Sequence, residues 1–114
     1  MNNLTITGFI ATNTGLLTGK SKSGNDYVYN DFQLRTDEEH PMRPWFHLTG
    51  EMAQMFSAIQ LTPEMQARVT FRIYTREYPD HNGVTRHSTE LGVTLIEILD
   101  IDGEVSHVCQ KTLL

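Results

Sequence analysis

Aromatic and cationic side chains are interleaved at three places in this chain: Tyr27 and Tyr29 near Arg35, Trp45 and His47 near Arg43, and Tyr74 and Tyr78 among Arg72, Arg76 and Arg86. A flat π-face stacks on an unpaired nucleobase, while a cation follows phosphate, so this mixture suits a single nucleic-acid strand held without sequence readout. Lys20 and Lys22 lie in Gly15–Gly24, a stretch rich in glycine, serine, threonine and lysine. A flexible loop of that composition can lie along a phosphodiester backbone. The expected binding set is Lys20, Lys22, Tyr29, Arg35, Arg43, Trp45, His47, Arg72, Tyr74, Arg76, Tyr78 and Arg86. The same residue types also occur on ordinary barrel exteriors and at subunit contacts.

Other chemistries are poorly supported. His40, His47, His81, His87 and His107 include no i, i+4 helical pair and no cysteine partner at ligand spacing, so no metal site is expected. Ser88, His87 and Glu90 contain the residue types of a nucleophilic triad, but neighbours on a strand alternate faces and no nucleophile elbow is written here. Gly19-Lys20-Ser21 lacks a glycine five positions before Gly19 and is followed by a strand-like run, unlike a phosphate-binding loop. Asp100-Ile101-Asp102-Gly103-Glu104 lacks the rest of a calcium loop and reads as a solvated turn. Neither an enzyme nor a cofactor is expected.

The elements that position these residues are mostly strands. Period-two alternation in 26–35 puts Val28, Asn30, Phe32 and Leu34 on one face and Tyr27, Tyr29, Asp31, Gln33 and Arg35 on the other. In 68–76 it puts Val69, Phe71 and Ile73 inward and Arg68, Thr70, Arg72, Tyr74 and Arg76 outward. Further strands are expected at Leu4–Ile10, Trp45–Leu48 and Thr89–Leu99, the last bent or bulged at Gly92. Met52, Met55, Phe56 and Ile59 recur at helical spacing, predicting one short helix over Glu51–Leu61, closed before Thr62-Pro63. Asn82-Gly83 between alternating runs predicts a hairpin, with Asp80 fixing its loop. The order gives a mainly β protein: a five-stranded Greek-key barrel of the oligonucleotide-binding (OB) type, with one short α-helix between strands 3 and 4. Residues 1–104 form that domain and 105–114 a short C-terminal extension.

At 114 residues, with 39% apolar content, one core suffices and two domains are excluded. A single cysteine and an amino terminus without a charged, apolar leader point to a cytoplasmic protein without a membrane partner. The net charge of −5 runs against a nucleic-acid partner. The acids gather at the carboxyl end, however: Glu97, Asp100, Asp102 and Glu104 against Lys111 alone.

Several fragments, in order, carry a likeness to a known family. They are Thr7-Gly8-Phe9-Ile10, Ser23-Gly24, Phe32-Gln33-Leu34, and Gly50 with Ala53. The most specific is the run Arg76-Glu77-Tyr78-Pro79-Asp80 through Gly83 to Arg86, followed by Thr89-Glu90-Leu91 and Ile98-Leu99. Together, over roughly residues 4–99, they resemble the bacterial single-stranded DNA-binding protein family and, more distantly, primosomal replication protein N. Departures accompany the likeness: Trp45 sits two places nearer the helix glycine than the family's tryptophan, Thr49 replaces an aromatic residue, and Tyr78 stands where the family has tryptophan. The family's glycine before the fourth strand gives way to Thr62-Pro63-Glu64-Met65-Gln66-Ala67, and its long acidic-ended tail has no counterpart in Gln110-Lys111-Thr112-Leu113-Leu114.

The resemblance implies sequence-independent single-stranded DNA binding in replication, recombination, repair or DNA transfer, by a homodimer or homotetramer of bacterial, phage or plasmid origin. Self-association is expected through Leu4–Ile10 or Val69–Ile73 at an open barrel edge. Replication or recombination proteins are further partners. The alternative is an OB-fold adaptor of a replication-restart or mobile-element complex, with mainly protein partners and weak nucleic-acid binding.

Overall fold

The computed structural model describes residues 3–110. Seven strands and one helix follow in the order β1 (Leu4–Asn13), β2 (Leu17–Lys20), β3 (Asp26–Arg35), β4 (Trp45–Thr49), α1 (Gly50–Ser57), β5 (Gln66–Pro79), β6 (Thr85–Leu99) and β7 (Val105–Gln110). All ladders are antiparallel, in the order β2-β3-β1-β5-β6-β7, with β4 on β3. β3 is the hub. Its first four residues pair with β2, Phe32–Arg35 pair with β1, and Tyr29–Gln33 pair with β4.

This antiparallel sheet curls around the inward residues that alternation marks. Phe32 and Leu34 of β3, Phe46 and Leu48 of β4, Val69 of β5, and Ile96 and Ile98 of β6 are all buried. α1 closes the core with Met52, Ala53 and Phe56, and the Phe32 ring stacks on Phe56 at 4.6 Å and on Phe46 at 5.4 Å. Asn30, the polar residue on the inward face, donates from Nδ2 to Ser57 Oγ at 2.8 Å and so ties β3 to the end of α1. The helix is shorter than its apolar stripe predicts. Its last turn tightens as Ile59 N–H donates to Phe56 O, and Ile59 reaches the core from beyond the helix end.

The strand count departs from the expected five. The lysine-bearing stretch is not a free loop, since residues 17–20 form β2 on β3. Residues 105–110, expected as an extension, form β7 on β6 and bury Cys109, while 111–114 lie outside the described residues. Both extra strands are joined by the turn that the Asn82-Gly83 hairpin uses. At Asp80-His81-Asn82-Gly83-Val84, Asp80 N–H donates to Val84 O and Gly83 N–H to Asp80 O, while Asp80 Oδ1 accepts from Asn82 N–H and Val84 N–H. Asp100–Glu104 repeats every one of these bonds. Ser21–Asn25 repeats both backbone bonds, with Ser21 Oγ accepting from Asn25 N–H. The fourth residue of each turn has positive φ, 78° at Gly83, which is why glycine stands there.

β5 and β6 outrun the rest of the sheet. β1 accompanies β5 only as far as Leu4↔Phe71, and from Arg72 to Pro79 every residue is exposed. Ile73, expected in the core, is therefore 54% exposed on a two-stranded ribbon. The bulge expected at Gly92 falls instead at Thr94, where the register skips from Thr70↔Leu95 to Phe71↔Val93. Among the described residues, Leu4–Gly8 of β1 faces no strand on the β3 side, because that pairing starts at Phe9. Of Val69–Ile73, the other expected open edge, Val69–Phe71 is flanked by β1 and β6, whereas Arg72 and Ile73 pair with β6 alone among the described residues. No helix is long and apolar enough to cross a membrane among the described residues.

The Asp80 turn has an acid dependence. The Arg86 guanidinium, then the Val84 N–H, hold the Asp80 carboxyl below its usual range, and Arg68 does the same for Glu97 through a two-pronged contact of 2.9 and 3.0 Å. A carboxyl lowered on folding stabilises the fold above its unfolded value, and that contribution is lost as pH falls through the folded value. We therefore expect the Asn82 and Val84 amides, corrected for intrinsic exchange, to lose hydrogen-exchange protection in acid. In Asp80→Asn, whose amide oxygen still accepts, this pH dependence should disappear. Equal protection at neutral and strongly acid pH in the parent would contradict the assignment.

Candidate functional site

Strand alternation builds one outward surface from β3 and β4. With Phe46 and Leu48 inward, Trp45 and His47 face out, and the register sets Asp31 opposite His47 and Gln33 opposite Trp45. Diagonally across the ladder, the Tyr29 ring lies 5.5 Å from His47, and Tyr27 lies 5.6 Å from Tyr29 at a tilt of 37°. Tyr27 rests against Gly19 of β2, where a Cβ would come within 2.9 Å of the ring. Tyr27, Tyr29 and His47 thus form a stepped track continued along β4 by Trp45, which is 50% exposed.

A second strand pair completes this surface. Tyr74, at the foot of the ribbon, lies close against Gly92, and its hydroxyl donates to Glu90 Oε2 at 3.1 Å. That bond, the burial of the ring's surroundings and the Glu90 charge raise the phenol above its ordinary value, so the ring stays neutral. Two clefts meet at Trp45. One, of about 450 Å³, is lined by Thr14, Asp31, Trp45, Phe46 and His47. The other, of about 330 Å³, is lined by Trp45, His47, Tyr74, Glu90 and Leu91. Each has a carboxylate in its wall, Asp31 in the first and Glu90 in the second.

The structure brings Tyr29, Trp45, His47 and Tyr74 together and disperses much of the rest of the expected set. Tyr78 stands farther out on the ribbon under the Arg76 guanidinium, 5.6 Å from its centroid, and pairs with Arg86 across the ladder. Arg35 lies over the Phe9 ring at 5.3 Å. Arg43 precedes β4, and its carbonyl accepts from Gln33 Nε2. Three of the cations already hold carboxylates: Lys20 with Asp26, Arg76 with Glu90, and Arg86 with Asp80. Lys22, Arg35, Arg43 and Arg72 have no ion-pair partner among the described residues. Exposed pairs of this kind add little stability and are screened by salt.

Tyr27, Asp31 and Glu90 contribute chemistry to this surface and lie outside the expected set. Tyr27 shares the outward register of Tyr29, so alternation alone marks it. Asp31 and Glu90 carry the wrong sign for a phosphate track and become visible only through the cross-strand register. No family model matches the chain, and no curated protein matches it.

Proposed function

We propose that this chain binds single-stranded nucleic acid, DNA foremost, without requiring a fixed sequence, by stacking bases on Tyr27, Tyr29, His47, Trp45 and Tyr74. The observation that carries the proposal is the run of ring contacts Tyr27–Tyr29–His47 beside two clefts that share an exposed tryptophan. Arg72, Arg43, Arg35 and Lys22, with Lys20, Arg76 and Arg86, supply phosphate contacts around it.

In this reading the sheet is an OB-type barrel in which β1, β3, β4, β5 and β6 are the five barrel strands, α1 lies between the third and fourth of these, and β2 and β7 are additions. The protein is then a relative of the bacterial single-stranded DNA-binding proteins, serving replication, recombination or DNA transfer in the cytoplasm. Its unpaired Leu4–Gly8 edge supports self-association through strand addition.

One observation favours the adaptor alternative: three of the seven expected phosphate contacts are occupied by carboxylates. Salt dependence decides between the two. Fluorescence titration of Trp45, the chain's one tryptophan, with oligothymidine at several salt concentrations is expected to give log K falling with log salt. Each phosphate contributes about −0.7 to that slope, so about three to five contacts per protomer give roughly −2 to −3.5. Absence of quenching, or a slope near zero, selects the adaptor.

A further inference from the structure

We propose that Asp31 makes the strand-binding surface discriminate among bases, favouring guanine over thymine in the cleft beside Trp45. This inference rests on the single-strand reading above and names what that site prefers to hold.

Only Oδ1 of Asp31 is engaged, by His47 Nδ1 at 2.5 Å; no donor among the described residues reaches Oδ2. The side chain is 36% exposed and lines the same cleft as the Trp45 indole and the inner residue Phe46. An ionised carboxylate only accepts hydrogen bonds, so it repels phosphate and rewards a base edge that donates. Bases of a single strand present their Watson–Crick edges, unlike those of a duplex. Guanine offers two donors side by side, N1–H and the N2 amino group, which match the free Oδ2 and the remaining lone pair of Oδ1. Thymine offers one N–H flanked by two carbonyl oxygens, and adenine and cytosine each offer one amino group beside a ring-nitrogen lone pair. A base stacked against Trp45 with its edge toward Asp31 is therefore held best when it is guanine.

Glu90 in the neighbouring cleft provides the internal comparison. Both of its oxygens are taken, Oε2 by the Tyr74 hydroxyl and Oε1 by Arg76 Nε at 2.8 Å, so it has less capacity to read a base.

The test uses Trp45 quenching with two strands of equal length: oligothymidine, and the same strand with several thymines replaced by guanine. The parent is expected to bind the guanine-bearing strand about tenfold more tightly, within the range of a good two-bond base contact. Asp31→Asn and Asp31→Ala should reduce the ratio of the two affinities to less than about twofold, whatever either does to affinity for both strands together, and Glu90→Gln should leave that ratio near its parent value. Equal affinities in the parent, or a preference that survives both Asp31 variants, would overturn the inference and leave single-strand binding standing. Failure of the parent to bind either strand would remove both.

Discussion

Phe32→Ala should lower the unfolding free energy by about 3–5 kcal/mol, the usual cost of deleting a fully buried ring. Phe32 has no exposed surface and stacks on Phe46 of β4 and Phe56 of α1, so its loss opens a cavity where strand, strand and helix meet. Domains of this size have about 5–15 kcal/mol in total, so the variant should be close to unfolding at physiological temperature. Urea denaturation at constant slope measures the effect. A shift worth less than about 1 kcal/mol would mean that the sheet does not close on this ring as described.

Trp45→Ala should behave in the opposite way. The indole is half exposed on the outer face of β4, so its removal should change stability by no more than about 0.5 kcal/mol. Single-strand affinity should fall by about 1–3 kcal/mol, the contribution of one stacking platform. Binding must then be followed by fluorescence anisotropy of a labelled oligonucleotide, since the variant has no tryptophan. A several-kcal/mol loss of stability would instead place the indole in a covered contact, such as a subunit interface.

The contrast between these neighbouring positions was legible in the sequence. Alternation separates Phe46 and Phe32 from Trp45 and Tyr29, and the helical stripe marks Met52 and Phe56, because burial on one face leaves a period that needs no tertiary information. Ile73 shows where that inference ends. Its alternation continues unbroken, but whether another element covers it depends on where β1 stops, and β5 does not record that. β2 and β7 escaped because little of either is buried: β7 buries Cys109 alone, and β2 buries no residue fully. Their turns do carry a pattern, Ser or Asp followed three residues later by glycine, which Asp80–Gly83 shares with Ser21–Gly24 and Asp100–Gly103.

The site was legible as residue types on an outward face, and less so as a constellation. Which cations remain available depends on cross-strand partners such as Arg76 and Glu90, and the Thr94 bulge sets part of that register. The same holds for Asp31. From the sequence it is one more acid among fourteen, and only the pairing of β3 with β4 places it beside His47 and the Trp45 cleft.

The central claim is that bases rest on the β3–β4 aromatic track, and photocrosslinking tests it most directly. An oligothymidine carrying 5-iodouracil at successive positions would be irradiated in complex with the protein, digested and sequenced by mass spectrometry. Crosslinks are predicted at Tyr27, Tyr29, His47, Trp45 and Tyr74. Crosslinks confined to β7 or to the Asp100–Glu104 turn, or none above the level of a non-binding control, would contradict it.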